Sequence, residues 1–223
     1  MSRTALADRA FPEYTRGEEI MNMVTHIVGA AMAVAILVLC IVKSAKYHDA
    51  WAVVSSSIYG TSMILVFTIS SIYHGLNKNM GKQVMRIIDH CDIYLLIAGT
   101  YTPIIFVALR PENLLMAWIL FGIEWGCAIL AIVFNAIDLH NYRVFSMICY
   151  LAMGWGIIFC FPATIRAMTF PGAMWLLAGG ISFTVGAILY GLGAKIRYMH
   201  SVFHLFVVLG CFLQFIAVYF YAL

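Results

Sequence analysis

Apolar residues dominate this chain of 223 residues and fall into long runs that are separated by short polar connectors. A run of about 20 apolar residues is long enough for a helix to cross about 30 Å of hydrocarbon. The runs number seven and leave no room for a soluble domain, so the pattern predicts an all-α membrane protein, a seven-transmembrane helix bundle. The predicted spans are Met23–Val42, Trp51–Tyr73, Ile87–Leu109, Leu114–Phe134, Val144–Phe161, Ala173–Gly193 and Ser201–Ala222.

Composition agrees with this pattern. Hydrophobic residues make up 64% of the chain and charged residues only 10%, whereas soluble domains carry about 25% charged residues. Residues 1–22 are polar and lack the apolar core of a cleavable signal peptide, so we expect a cytoplasmic N-terminal segment followed by one transmembrane domain over residues 23–223. The net charge of +3 comes from loop residues and does not indicate a nucleic-acid partner.

The basic residues of the loops predict the orientation of the bundle. The N-terminal side of the predicted spans carries nine Lys and Arg residues and the opposite side carries four. Cytoplasmic loops are enriched in Lys and Arg, so we expect the N-terminus in the cytoplasm and the C-terminus outside. This orientation is the reverse of G-protein-coupled receptors, and no heterotrimeric G protein is expected as a partner. The nine are Arg3, Arg9, Arg16, Lys78, Lys82, Arg86, Arg143, Lys195 and Arg197; the four are Lys43, Lys46, Arg110 and Arg166.

Three histidines stand at the ends of apolar runs that the orientation places at the cytoplasmic edge of the hydrocarbon. His200 and His204 are four residues apart, so on a helix they share a face and can reach one ion. His74, at the end of the second span, lies at the matching depth. Three histidine ligands with an open fourth position are a catalytic zinc pattern. We therefore predict a Zn2+ site formed by His74, His200 and His204.

Two further residues are candidates for chemistry beside that site. Ser70 is one helical turn before His74, where its hydroxyl can hold the imidazole or a water molecule, although most intramembrane serines bond to their own helix. Asp89 opens the third span and is a candidate proton acceptor, with helix capping as the alternative. Asp92, three residues later, is a rival for the same role.

Other polar or reactive residues are ambiguous. Glu19, Asn22 and His26 recur at helical spacing at the start of the first span, where they border the mouth of a cavity or are simply solvated. Glu124 is the one acidic residue near the middle of a span. A transporter or proton channel would need more ionisable residues spread through the depth of the membrane. The six cysteines have no C-x-x-C spacing and are expected to be reduced packing residues.

These motifs resemble the hemolysin III branch of the progestin and adipoQ receptor (PAQR) family, whose wider relatives include the alkaline ceramidases. The resemblance rests on Ser70-x3-His74, Asp89 and His200-x3-His204. It is supported by Glu19-x2-Asn22-x2-Thr25-His26 and by the stretch from Asp89 to Pro103. It implies seven helices with a cytoplasmic N-terminus, and zinc on the three histidines with Ser70 and Asp89 close by. Asp92 departs from the pattern, since bacterial relatives usually carry a small residue there.

Two classes of function are compatible with these observations. The first is a zinc-dependent hydrolase of a lipid amide or ester with a role in membrane lipid homeostasis, as the ceramidase-like relatives suggest. The second is a non-catalytic membrane sensor or receptor, or a pore-forming cytolysin, with a structural zinc. In both cases we expect membrane lipids as partners and a location in the bacterial inner membrane. The oligomeric state stays open.

Overall fold

The computed structural model describes residue 6 and residues 9–47, 49–139, 141–193 and 196–223. Within these ranges the regular structure is helical throughout, with no β-strand. Arg3 and Lys195, two residues of the charge count, lie outside the described residues. The helices are α1 (Arg16–Tyr47), α2 (Ala50–Gly75), α3 (Met80–Pro103), α4 (Leu114–Asp138), α5 (Arg143–Gly154), α6 (Phe161–Gly193) and α7 (Met199–Ala217).

Helix α1 begins at Arg16, earlier than the predicted first span, which starts at Met23. A capping box explains the difference. The backbone N–H of Thr15 donates to Oε2 of Glu18 at 2.8 Å, and the backbone N–H of Glu18 lies 3.3 Å from the Thr15 hydroxyl. Because this reciprocal pair satisfies two N–H groups that have no partner within the helix, the helix can begin in polar sequence.

Short irregular helical segments join some of the helices. After Pro103, α3 continues as a π-helical segment, Ile104–Leu109, and one further turn, Arg110–Glu112. Proline removes one backbone hydrogen bond from a helix, which accounts for the change of geometry. A 3-10 segment, Gly156–Cys160, follows α5, and a π-helical segment, Val218–Ala222, follows α7.

The described residues contain six helical segments long and apolar enough to cross a membrane, where the sequence predicts seven. The fifth of them, Arg143–Gly193, is 51 residues long and contains two predicted spans. It is not one straight helix, because Thr169 has non-helical backbone angles of φ 62° and ψ 166° and Pro171 follows.

The bundle is assembled by packing of neighbouring helices. Helix α1 lies against α2 and α7, α2 lies against α3, and α6 lies against α7. The α1–α2 approach requires glycine at position 60, because a Cβ atom there would lie 2.8 Å from Cα of Leu37. Small residues commonly allow such close approach of membrane helices. This packing brings the start of α1, the end of α2 and the start of α7 to one end of the bundle.

Candidate metal centre

Three buried imidazoles meet at that end of the bundle. His74 lies in the last turn of α2, and His200 and His204 lie one turn apart on α7. Each of the three offers a ring nitrogen, and these atoms all lie within 4.8 Å of one another. The structure thus brings together all three histidines that the sequence nominates as metal ligands. The group is a possible three-histidine metal site.

The state of the ring nitrogens shows that the group fits a cation. Nε2 of His200 and Nε2 of His204 lie 3.0 Å apart, and Nε2 of His74 is buried without a hydrogen-bond partner among the described residues. Two lone pairs at that separation repel unless a proton or a cation lies between them. Zn–N bonds of about 2.0–2.1 Å in a tetrahedral site place ligand nitrogens about 3.3 Å apart. The three nitrogens therefore need only small movements to bind one ion.

A carboxylate from α1 holds His74 in place. Oε2 of Glu19 lies 2.6 Å from Nδ1 of His74. Because an ionised carboxylate only accepts hydrogen bonds, Nδ1 carries the hydrogen, and the lone pair is on the buried Nε2, which is free for a metal ion. The other oxygen of Glu19 accepts from Nζ of Lys82 at 2.8 Å, and that ammonium also donates to the carbonyl of Leu76 at 2.9 Å. This is the carboxylate–histidine arrangement that commonly supports metal ligands.

Residues of α1 also contact the α7 side of the cluster. The Ser201 hydroxyl donates to Oδ1 of Asn22 at 2.5 Å, which joins α1 to α7 directly beside His200. The His26 ring stacks on the His204 ring, with 3.8 Å between centroids and 20° between planes. Asn22 and His26 are both buried. Solvation at the membrane boundary, one of the two alternatives for this helix face, therefore does not describe Asn22 or His26.

The start of α7 is tied to the capping box of α1. Tyr198, which precedes α7, adopts left-handed backbone angles (φ 62°) that are unusual for a residue with a side chain. Its backbone N–H donates to Oε1 of Glu18 at 2.7 Å. Glu18 thus both starts α1 and fixes the chain two residues before His200.

Ser70 and Asp89, the two residues proposed for chemistry, lie beside the histidines. The Asp89 carboxylate interacts with the Ser70 side chain and electrostatically with His74. Its oxygen Oδ2 also lies 3.7 Å from Nδ1 of His90. Asp92, its rival, is buried, and neither of its oxygens has a hydrogen-bond partner in the described part of the chain. Asp89 thus interacts with residues around the histidines, whereas the Asp92 side chain forms no hydrogen bond within the described residues.

Tyr14, two residues before the start of α1, covers the site with its ring. Its ring stacks on the His200 ring at 4.9 Å between centroids and lies 5.9 Å from the His74 ring. Burial raises the pKa of Tyr14 far above its usual range, so its hydroxyl stays protonated. A cavity of about 580 Å³ opens beside Tyr14 and is lined by His74, Glu19 and Lys82.

Fold and site together define a polytopic all-helical membrane protein with a buried three-histidine cluster at one end of its bundle. A family model described as "Haemolysin-III related" matches residues 14–215. The chain belongs to this haemolysin III family, as its motifs indicate.

Curated relatives cover most of the chain. The chain is 38% identical to "Hemolysin-3" of Bacillus cereus over 206 residues, 92% of each protein. It is 36% identical to the "Hemolysin-3 homolog" of Bacillus subtilis over 208 residues, 93% of this chain and 96% of that protein. It is 26% identical to the human "Monocyte to macrophage differentiation factor" over 200 residues, 83% of this chain and 79% of that protein. The last match is the distant relation to PAQR-type proteins that the motifs suggest.

Several contributors to the site are not singled out by the sequence, among them Lys82, Tyr14, Glu18 and Ser201. In the sequence, Lys82 is only one of the nine basic residues that predict the orientation of the bundle. Tyr14 is only a member of the predicted N-terminal segment. The usable signal for Lys82 is the short loop between α2 and α3, because Lys82 lies in the first turn of α3 and is therefore held near His74. For Tyr14 no pattern in the sequence indicates that its ring folds back onto His200.

Proposed function

We propose that this chain is a zinc-dependent hydrolase that cleaves an amide or ester bond of a membrane lipid. The observation that supports this most is the meeting of three buried imidazoles, with ring nitrogens facing one another, beside a cavity that reaches His74. A catalytic site needs both a ligand set with an open position and a route for substrate. A purely structural metal site needs no such cavity.

We further propose that the chain crosses the bacterial inner membrane seven times with its N-terminus in the cytoplasm. A straight helix as long as the Arg143–Gly193 segment would span about 76 Å, more than twice the hydrocarbon thickness. The break at Thr169 and Pro171 lets the segment cross twice. The nine-to-four bias of Lys and Arg then places the histidine cluster at the cytoplasmic leaflet. Membrane lipids are the partners we propose.

Each residue of the site has a role in this proposal. His74, His200 and His204 hold the ion, and Glu19 with Lys82 keeps Nε2 of His74 directed at it. Zinc bound there supplies an acidified water molecule and polarises the substrate carbonyl. Asp89 accepts a proton as water attacks the carbonyl carbon and returns it to the leaving nitrogen or oxygen as the carbon–heteroatom bond breaks. Ser70 positions the Asp89 carboxylate through their side-chain interaction.

A second candidate is a non-catalytic role in which the metal clamps helices together, as in a sensor, a receptor or a cytolysin. The observation that favours it is the placement of the ligands on α2 and α7, two helices that a metal would join. The name of the Bacillus cereus relative, "Hemolysin-3", is compatible with lysis of membranes. In this case the coordination of the metal would be closed, since structural sites leave no open position.

The two candidates are separated by an assay of turnover. Purified chain in detergent is incubated with a ceramide-type lipid amide and with a phospholipid ester, with and without a zinc chelator, and the released fatty acid is measured. We expect release that the chelator abolishes and zinc restores. Asp89→Asn is expected to slow release by about 10²- to 10⁴-fold, the range for loss of a general base, while retaining zinc.

Two results would decide against zinc-dependent catalysis at this site. One is stoichiometric zinc with no release from either lipid class, combined with loss of thermal stability in His200→Ala. The other is release that continues unchanged in Asp89→Asn and in the metal-free protein. Lysis of liposomes that requires zinc but no bond cleavage would support the second candidate.

A further inference from the structure

The cavity beside His74 is lined by both charged and apolar residues. It lies between the first turns of α1, the end of α2 and the loop to α3, and its volume of about 580 Å³ falls in the range of small-molecule sites. Its charged lining residues include Arg16 and Lys78, and its apolar lining residues include Ile20 and Met23. A ligand that fills this space must suit both kinds of residue.

The charged residues that line the cavity carry excess positive charge. Lys82 and Glu19 also line the cavity, but they form an ion pair with each other at 2.8 Å. Among the described residues, neither Arg16 nor Lys78 is in an ion pair or a side-chain hydrogen bond. The uncompensated charge of this surface is therefore +2, which favours an anionic ligand.

The apolar lining residue Ile20 also belongs to the outer surface of the bundle. Ile20 is 47% exposed and is followed along the same helix by the exposed side chains of Val24 and Ile27. Helix α1 is long and apolar enough to span a membrane, so this exposed surface is where acyl chains of the bilayer contact the protein. The cavity therefore opens at the boundary between headgroups and acyl chains.

We propose that the cavity binds the anionic headgroup of a phospholipid, with the phosphate between Arg16 and Lys78 and an acyl chain along Ile20 and Met23. This proposal rests on the proposed hydrolysis, because it names the substrate class of the same site. A bound phospholipid places its first acyl carbonyl only a glycerol unit away from the phosphate, on the side of His74. Substrates with a phosphate headgroup are then preferred over neutral lipids with the same acyl chains.

The test measures binding alone, on chain stripped of metal with a chelator. Short-chain probes are titrated into the detergent-purified protein and their binding is measured by isothermal titration calorimetry: dihexanoyl phosphatidic acid, neutral dihexanoylglycerol and glycerol phosphate. We expect phosphatidic acid to bind at least about tenfold more tightly than either other probe, the effect of one charge-assisted hydrogen bond. Its affinity should also fall as ionic strength rises.

Variants locate the site. Arg16→Gln and Lys78→Gln are each expected to weaken phosphatidic acid binding about tenfold, while Arg16→Lys and Lys78→Arg retain most of it. Lys46→Gln is the matched control, because Lys46 is an exposed cation at the far end of α1, and it should bind as wild type. Melting temperatures of all variants verify that they fold.

The outcomes separate this inference from the proposed hydrolysis. Equal affinity for dihexanoylglycerol, or unchanged binding in the Arg16→Gln/Lys78→Gln double variant, would overturn the headgroup site. Glycerol phosphate binding as tightly as phosphatidic acid would identify a site for free phosphate and would also overturn it. Tight, charge-dependent phosphatidic acid binding without any lipid cleavage would support the headgroup site and would contradict only the proposed hydrolase function.

Discussion

Replacing Glu19 with glutamine keeps a hydrogen-bond acceptor beside His74 but removes its negative charge. The bond is short, 2.6 Å, and His74 has a fully buried side chain, whereas the Glu19 side chain is 18% exposed. A hydrogen bond to a charged group contributes about 1.5–3 kcal/mol and a neutral one about 0.5–1.5 kcal/mol. The difference of about 1–1.5 kcal/mol corresponds to a zinc affinity about tenfold weaker. Because the Glu19 side chain is partly exposed, water screens part of its charge, and we expect no larger loss of zinc affinity from Glu19→Gln.

Glu19→Ala removes the acceptor and also leaves the ammonium of Lys82 without its carboxylate partner. We expect a loss of zinc affinity near the upper end of the 10- to 100-fold range known for residues that support metal ligands. Zinc affinity is measured by competition with a chelator of known dissociation constant. Glu13→Gln, which removes an exposed carboxylate just before α1, is the control. Wild-type zinc affinity in both Glu19 variants would refute the argument that Glu19 orients His74.

Three further predictions follow from other contacts. Tyr14→Ala removes the ring that stacks on His200, so zinc should be released faster into excess chelator. Tyr14→Phe keeps the ring and should release zinc at the wild-type rate. Equal release rates in the two variants would contradict the proposal that the Tyr14 ring covers the site. Asp92→Asn removes a buried carboxylate that has no hydrogen-bond partner among the described residues. It should leave lipid cleavage intact and the melting temperature unchanged or higher. A loss of cleavage like that of Asp89→Asn would contradict the assignment of Asp89 as the proton acceptor. The hydrogen bond from Arg110 lowers the pKa of Asp49, so Asp49 contributes stability above its unfolded pKa of about 3.9 that is lost as pH falls through the folded pKa. Because the pair is exposed, Asp49→Asn should lower the free energy of unfolding by only about 0.2–1 kcal/mol at pH 7. The free energy of unfolding of this variant should also fall less steeply than that of the wild type as the pH is lowered. An unchanged dependence on acidic pH would show that the pair contributes nothing to stability.

The placement of the metal-ligand candidates was accessible from the sequence for a simple reason. Helical spacing puts His200 and His204 on one face, and the lengths of the apolar runs set the depth of His74. Both arguments depend only on the geometry of single helices and on the thickness of a bilayer. The structure confirms that the three histidines converge and that the regular structure of the described residues is helical.

Other features depend on contacts between distant segments, which no local pattern encodes. The pairing of Glu19 with His74 joins α1 to α2, and the reach of Lys82 depends on the course of the loop after Leu76. The early start of α1 was visible in principle, because Thr15 and Glu18 have capping-box spacing. The predicted start at Met23 followed hydrophobicity alone and so missed this polar first turn.

The most direct test of the account is X-ray absorption spectroscopy of the purified chain loaded with one equivalent of zinc. The account predicts three imidazole nitrogens at about 2.0–2.1 Å and one oxygen donor from water, with one imidazole lost in each of His74→Ala, His200→Ala and His204→Ala. Zinc that binds without imidazole scattering, or with a spectrum unchanged in all three variants, would contradict the proposed metal centre.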